Sequence, residues 1–314
     1  MSSKSKSSSE TPAHATAPGP AAASLSELVH PGVRLQIAVL ALLLVLAYRV
    51  PLTDSVLHHW WNDPNWSHGW LMPLFSLYLL GSRRDELLRV RPRTSLVGLA
   101  VLLAAMLMYF GSMLLLRMGY PQALSIVVAI LGLTLFLGGW QVLRVVWFPI
   151  LFLALAIPLP QGLYVSVTMP LRELASDAGA ALLSLIPGLH AETSGVAIDY
   201  TYGSKVGMLN VEEACSGMRL MMAFVALGLA MAYLGERPLW QRIIMVLTCV
   251  PIALFCNVIR VTAAGCVHVF EYESLASGTP HELLGLAMLP IALGLFALVG
   301  YVLKNLFVEE AEEP

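Results

Sequence analysis

Apolar runs long enough to cross a membrane recur along this chain, and they leave few folds open to it. A helix needs about 20 apolar residues to cross the hydrocarbon core of a bilayer, with roughly 17–25 as the working range. Candidate runs lie at about 33–52, 67–82, 94–116, 123–140, 143–160, 216–234, 241–266 and 281–303. Of the 314 residues, 58% are hydrophobic and only 12% are charged, whereas soluble domains carry about 25% charged residues. So little charge cannot solvate a water-exposed body of this size. The expected fold is all-α and polytopic, with about eight transmembrane helices. The 67–82 run is short for a span and carries His68.

The remaining segments fill in the expectation. Residues 163–187 place Arg172, Glu173 and Asp177 within an apolar pattern, which predicts an amphipathic helix at the membrane interface. Residues 188–214 have alternating character at 195–202 and 204–211, the pattern of a small extracytoplasmic hairpin. Residues 1–30 are rich in Ser, Ala and Pro and read as a disordered cytoplasmic tail. Residues 31–306 form the membrane domain, and the acidic 307–314 segment reads as a second solvated tail. A net charge of −2, with no basic patch interleaved with aromatics, argues against a nucleic-acid partner. Of the four cysteines, Cys249, Cys256 and Cys266 sit in apolar stretches, and no C-x-x-C pair is present. No metal or cofactor is expected.

Positive charge sets the orientation, because short cytoplasmic loops are enriched in Lys and Arg. Lys4, Lys6 and Arg34 precede or open the first run, Arg83, Arg84, Arg89, Arg91 and Arg93 follow the second, and Arg144 follows the fourth. Arg237 and Arg242 follow the sixth run and Lys304 the eighth, while the other side has only Arg117, Arg172 and Lys205. This bias predicts cytoplasmic termini and an even number of crossings. It places 52–66, 160–214 and 267–280 outside.

Three polar positions then fall at similar depth on the outer side. Cys215 opens the sixth run in Glu213-Ala-Cys-Ser-Gly-Met-Arg219. At a helix N-terminus the dipole favours a thiolate, the reactive form of cysteine. Arg219 lies one turn further on the same face. Arg260 sits well inside an apolar run, with Asn257 three residues earlier. An arginine in a bilayer costs about 2.5–3.5 kcal/mol on insertion scales, so it marks either a functional site or a hydrogen-bonding node between helices. His281 opens the eighth run behind Pro280, and a neutral histidine near a cysteine is a general acid and base. His268, eight residues beyond Arg260, competes for that role. Each residue has a bland reading: a helix-start cysteine, a packing node, an interfacial imidazole. Their shared depth favours nucleophile, electrostatic stabiliser and acid/base acting together.

At these motifs the sequence resembles the exosortase/archaeosortase family. Glu213-Ala-Cys-Ser-Gly-Met-Arg219 is similar to its cysteine motif, Asn257-Val-Ile-Arg260 to its arginine motif, and His281 with Gly285 to its His-x-x-x-Gly motif. Trp66-Ser-His-Gly69 and Ile157-Pro-Leu-Pro160 fit the supporting pattern. The resemblance runs from about 63 to 285, and to the shorter forms, without an extra C-terminal domain linked to exopolysaccharide export. It implies a bacterial inner-membrane cysteine transpeptidase. Its substrates would be exported proteins ending in a motif such as Pro-Glu-Pro, one transmembrane helix and a basic tail. The acceptor would be a polysaccharide or a lipid-linked group. Carried onto this chain, Cys215 would be the nucleophile, His281 the acid/base and Arg260 the third member. Arg219, Asn257 and His68 would have supporting roles. Two other classes use the same residues differently: a transporter with Arg260 and Asn257 in an anion path, or a non-enzymatic component of polysaccharide export.

Overall fold

The computed structural model describes residues 31–210, 217–235, 237–270 and 279–305, with side chains described from residue 35 onward except at 217–220 and 279–284. The expected tails at 1–30 and 307–314 and the Cys215 position lie outside the described residues. The chain divides into two units, Met1–Ala47 and Tyr48–Pro314. The first contains helix α1, Pro31–Ala47. Its Leu35, Leu42, Leu43 and Leu46 are all more than half exposed.

The second unit is mostly helical, as a chain of this hydropathy requires. In hydrocarbon every backbone N–H and C=O must be satisfied within its own segment, which helices achieve. After a π-helical turn at Pro51–Leu57 come α2 (His58–Asn62), a 3₁₀ turn at Pro64–Trp70, α3 (Leu71–Ser82) and α4 (Arg84–Arg89). Then follow α5 (Leu96–Gly111), α6 (Gly119–Phe152) and α7 (Gln161–Leu183). Strands β1 (Leu189–Ser194), β2 (Ala197–Tyr202) and β3 (Lys205–Asn210) precede α8 (Gly217–Leu234), α9 (Leu239–Leu247), α10 (Cys249–Val269) and α11 (Thr279–Asn305). The outer surface is apolar: Leu96, Leu107, Leu115 and Leu247 are exposed by 66–83%. A contiguous apolar coat of this kind suits lipid rather than water.

Four helical stretches are long and apolar enough to cross a membrane: Leu96–Leu116, Gly119–Ala156, Leu239–Val269 and Gly285–Asn305. The count becomes five if Leu35–Ala47 and Pro51–Asn62 are taken as one span. The difference from eight has local causes. The 67–82 run is divided between the 3₁₀ turn and the 12-residue α3. The 123–140 and 143–160 runs are joined in α6, which is broken at Gly139, where the backbone turns to φ 74°, ψ −173°. Only a glycine fits there, since a Cβ would stand 2.2 Å from the Arg93 carbonyl oxygen. The Arg93 N–H donates to Gly138 O and the Ser95 N–H to Phe136 O, so the 93–95 segment laces the break from outside.

Further along α6, Pro149 has no N–H for the Val145 carbonyl one turn back. Tyr233 of α8 supplies a donor to that carbonyl through its hydroxyl, at 3.5 Å, and its ring stacks on Phe148 at 4.0 Å. Ser76 of α3 donates to Pro149 O at 2.6 Å. On the basic segment after α3, Arg83 donates to Glu86, which holds its guanidinium above the usual range, and lies over the Tyr233 ring at 4.9 Å.

The expected hairpin is a three-stranded antiparallel sheet, ordered β1-β2-β3. It gains a strand because both connections are two residues long and begin with a positive-φ glycine, Gly195 and Gly203. Such a glycine at the first central position is what type II′ hairpin turns require. The strand period of two turns Leu189, Ile198 and Leu209 into a core with Ala175 and Leu183 of α7 and Val261 and Val269 of α10. The amphipathic α7 thus packs against both the sheet and α10.

Candidate functional site

Helix α10 packs against α7, α8 and α11, the 3₁₀ turn at Pro64–Trp70 packs against α8, and most of the chemistry-bearing residues belong to these elements. Arg260 of α10 is 1% exposed, and it is a large, fully buried side chain. Gly285 of α11 lies directly against it: a Cβ there would stand 3.4 Å from the guanidinium carbon and from Nη2. The missing side chain lets the α11 backbone pass over the charged group at contact distance. Four residues earlier, one turn nearer the helix start and on the same face, is the backbone position of His281. The arginine and His-x-x-x-Gly motifs therefore adjoin in space through Gly285.

Asn257 lies one turn before Arg260 on α10 and is half-buried. Its Oδ1 is buried with no hydrogen-bond partner among the described residues. Arg219 lies in the first turn of α8, which begins two residues after Cys215. His68 is 6% exposed and belongs to the 3₁₀ turn rather than to a span. That turn starts where Asp63 Oδ1 accepts from the Asn65 N–H at 2.9 Å and Pro64 takes the first position, a cap that ends α2 and resets the chain direction. The His68 ring lies 5.6 Å from Trp66, whose ring lies 6.3 Å from Tyr164 of α7. His268 is held away from this group, with Nδ1 3.0 Å from the Tyr200 hydroxyl of β2. Its partner is the sheet, which explains its place at the end of α10.

Helix α7 carries a further polar feature. Tyr164, Thr168 and Arg172 recur every four residues and so form one stripe. Arg172 Nη2 donates to the Tyr164 hydroxyl at 3.5 Å. Thr168 and Arg172 line a cavity of about 30 Å³ together with Asn257, Leu171, Met221, Ala253 and Leu254. The i, i+4, i+8 spacing is visible in the sequence, but the neighbours that the stripe meets are not. Among the described residues, no three His, Cys, Asp or Glu side chains gather as a metal site.

Fold and site define a polytopic helical membrane protein with a buried arginine at the junction of two sequence motifs. The family model for transmembrane exosortases matches residues 60–298. The chain belongs to the transmembrane exosortase family. No curated protein and no solved structure matches it.

Proposed function

We propose that this chain is a membrane-embedded cysteine transpeptidase that cleaves the C-terminal sorting signal of exported proteins and transfers them to a surface or exopolysaccharide acceptor. The observation that carries this reading is the fully buried Arg260 against Gly285, one turn from the His281 position. The chain would cross the bacterial inner membrane an even number of times, with cytoplasmic termini and an extracytoplasmic site, following its arginine distribution.

In this mechanism the Cys215 thiolate attacks the scissile carbonyl, and the carbonyl electron pair moves to oxygen. Arg260 stabilises that oxyanion. Burial excludes water from the guanidinium, which makes its charge more effective than in solution. The tetrahedral species collapses, the C–N bond breaks, and protonated His281 gives its proton to the leaving amine. The resulting thioester is attacked by the acceptor nucleophile, whose proton returns to His281. Cys215 then leaves as thiolate. A site enclosed by helices holds back water, which favours transfer over hydrolysis. Asn257 and His68 orient the groups around the arginine.

The test uses a co-expressed tagged reporter ending in Pro-Glu-Pro, one span and a basic tail. Cys215→Ala is expected to abolish its processing at unchanged enzyme abundance, and His281→Ala to reduce it by about 10²–10⁴-fold. Undiminished cleavage by a well-expressed Cys215→Ala variant removes the nucleophile assignment. An acceptor-linked product distinguishes transfer from hydrolysis.

A further inference from the structure

We propose that Arg172, Thr168 and Asn257 form a carboxylate subsite that seats an acidic side chain of the peptide to be cleaved; this rests on the peptide-processing reading above. The cavity they line lies between α7, α8 and α10, and Asn257 is one turn from Arg260 on the same helix. Its volume of about 30 Å³ compares with about 10–15 Å³ for one water. It therefore admits one carboxylate-sized group and no large side chain. Thr168 is 3% exposed, and its Oγ1 is buried without a hydrogen-bond partner among the described residues. Asn257 lines the same cavity, and its Nδ2 is an amide donor. A buried hydroxyl left in this state costs stability unless a ligand completes it.

The lining chemistry selects the ligand. Arg172 presents a guanidinium, Thr168 a hydroxyl and Asn257 an amide, and each donates to a carboxylate. The remaining lining, Leu171, Met221, Ala253 and Leu254, is apolar and lowers the local dielectric. A larger cavity of about 340 Å³ is lined by Asp54 and Asp63 with no Lys or Arg, so it would repel the same group. With Arg172 holding the substrate's carboxylate, the deeper Arg260 is left to the reacting carbonyl. The two arginines thus divide recognition from chemistry.

The experiment measures binding of two synthetic peptides, one carrying Pro-Glu-Pro and one Pro-Gln-Pro, to the purified full chain in a Cys215→Ala background. With Arg172 present, the glutamate peptide is expected to bind about 10–100-fold tighter, the range of a charge-assisted contact. Arg172→Gln should bring that ratio close to one while leaving the glutamine peptide's affinity unchanged. Arg172→Lys should keep a reduced preference, and Thr168→Val, which preserves shape, should lose a few-fold for the glutamate peptide alone. Equal affinity for the two peptides with Arg172 present overturns the subsite. So does parallel loss of both in Arg172→Gln with the lysine variant intact. Reporter cleavage in cells is read separately. Cleavage that survives Cys215→Ala while the peptide preference stands overturns the transpeptidase reading and leaves the subsite in place.

Discussion

Arg260→Ala is expected to lower reporter processing by about 10²–10³-fold, the effect of removing one oxyanion donor, while the protein accumulates normally. The second half of this result follows from the membrane. Moving an arginine into the bilayer costs about 2.5–3.5 kcal/mol, so its removal relieves an insertion cost. A helix-packing node would behave in the opposite way and lose abundance. Arg260→Lys should also be defective, since a point charge cannot reproduce a planar fork of donors. The same defect should follow from the opposite side of the contact. At Gly285 a Cβ would meet the guanidinium at 3.4 Å, so Gly285→Ala is close to tolerated. Gly285→Leu must displace the arginine and should match Arg260→Ala. Normal processing by Gly285→Leu would show that the guanidinium position does not matter to the reaction.

The largest expected effect on folding is at Gly98 of α5. A Cβ there would stand 2.1 Å from the Phe136 backbone nitrogen and 2.4 Å from its Cα. Backbone cannot rotate aside as a side chain can, so Gly98→Ala must separate α5 from α6. Overpacking in well-filled interiors costs about 1–3 kcal/mol and occasionally more, and a clash with backbone falls at the upper end. Gly98→Ala should therefore reduce steady-state abundance severely and lower the unfolding temperature in detergent. Gly81 of α3 supplies the control, because nothing lies within 4 Å of its Cβ position. Gly81→Ala should be neutral or stabilising by about 0.5–1 kcal/mol. Equal effects at the two positions would contradict the described α5–α6 packing.

Much of this was legible because membrane crossing imposes a crude requirement that hydropathy reads directly. The runs at 94–116, 241–266 and 281–303 each correspond to a long apolar helical stretch. The 67–82 run did not, since Asp63 and Pro64 set up a 3₁₀ turn in which Trp66 packs and His68 is buried. That outcome depends on Tyr164 of α7, a neighbour far along the chain that no local pattern contains. The break at Gly139 was invisible for a similar reason: its backbone conformation is stabilised by hydrogen bonds from the 93–95 segment. Strands β2 and β3 were legible, because 195–202 and 204–211 alternate, whereas β1 at 189–194 was not and is added through the two-residue turn at Gly195.

At the site, the Arg260 anomaly was visible as a charge within an apolar run, and its burial against Gly285 gives that anomaly a neighbour. Arg172 is equally visible in the sequence, where an amphipathic interfacial helix suffices to account for it. Its stripe with Tyr164 and Thr168 acquires meaning only when α10 brings Asn257 alongside. Spacing within one helix showed a face. What that face meets is a property of the packed structure.

A covalent bond between substrate and Cys215 defines a cysteine transpeptidase, and capturing that bond tests the assignment. Cells expressing the wild-type enzyme and the tagged reporter are quenched in acid under denaturing conditions, and the enzyme is digested and examined by mass spectrometry. Reporter sequence, ending at the cleavage site, is expected on the Cys215 peptide. Hydroxylamine should release it as a hydroxamate, and Cys215→Ala should lack it. Efficient reporter cleavage with no such adduct, persisting in Cys215→Ala, would contradict the account.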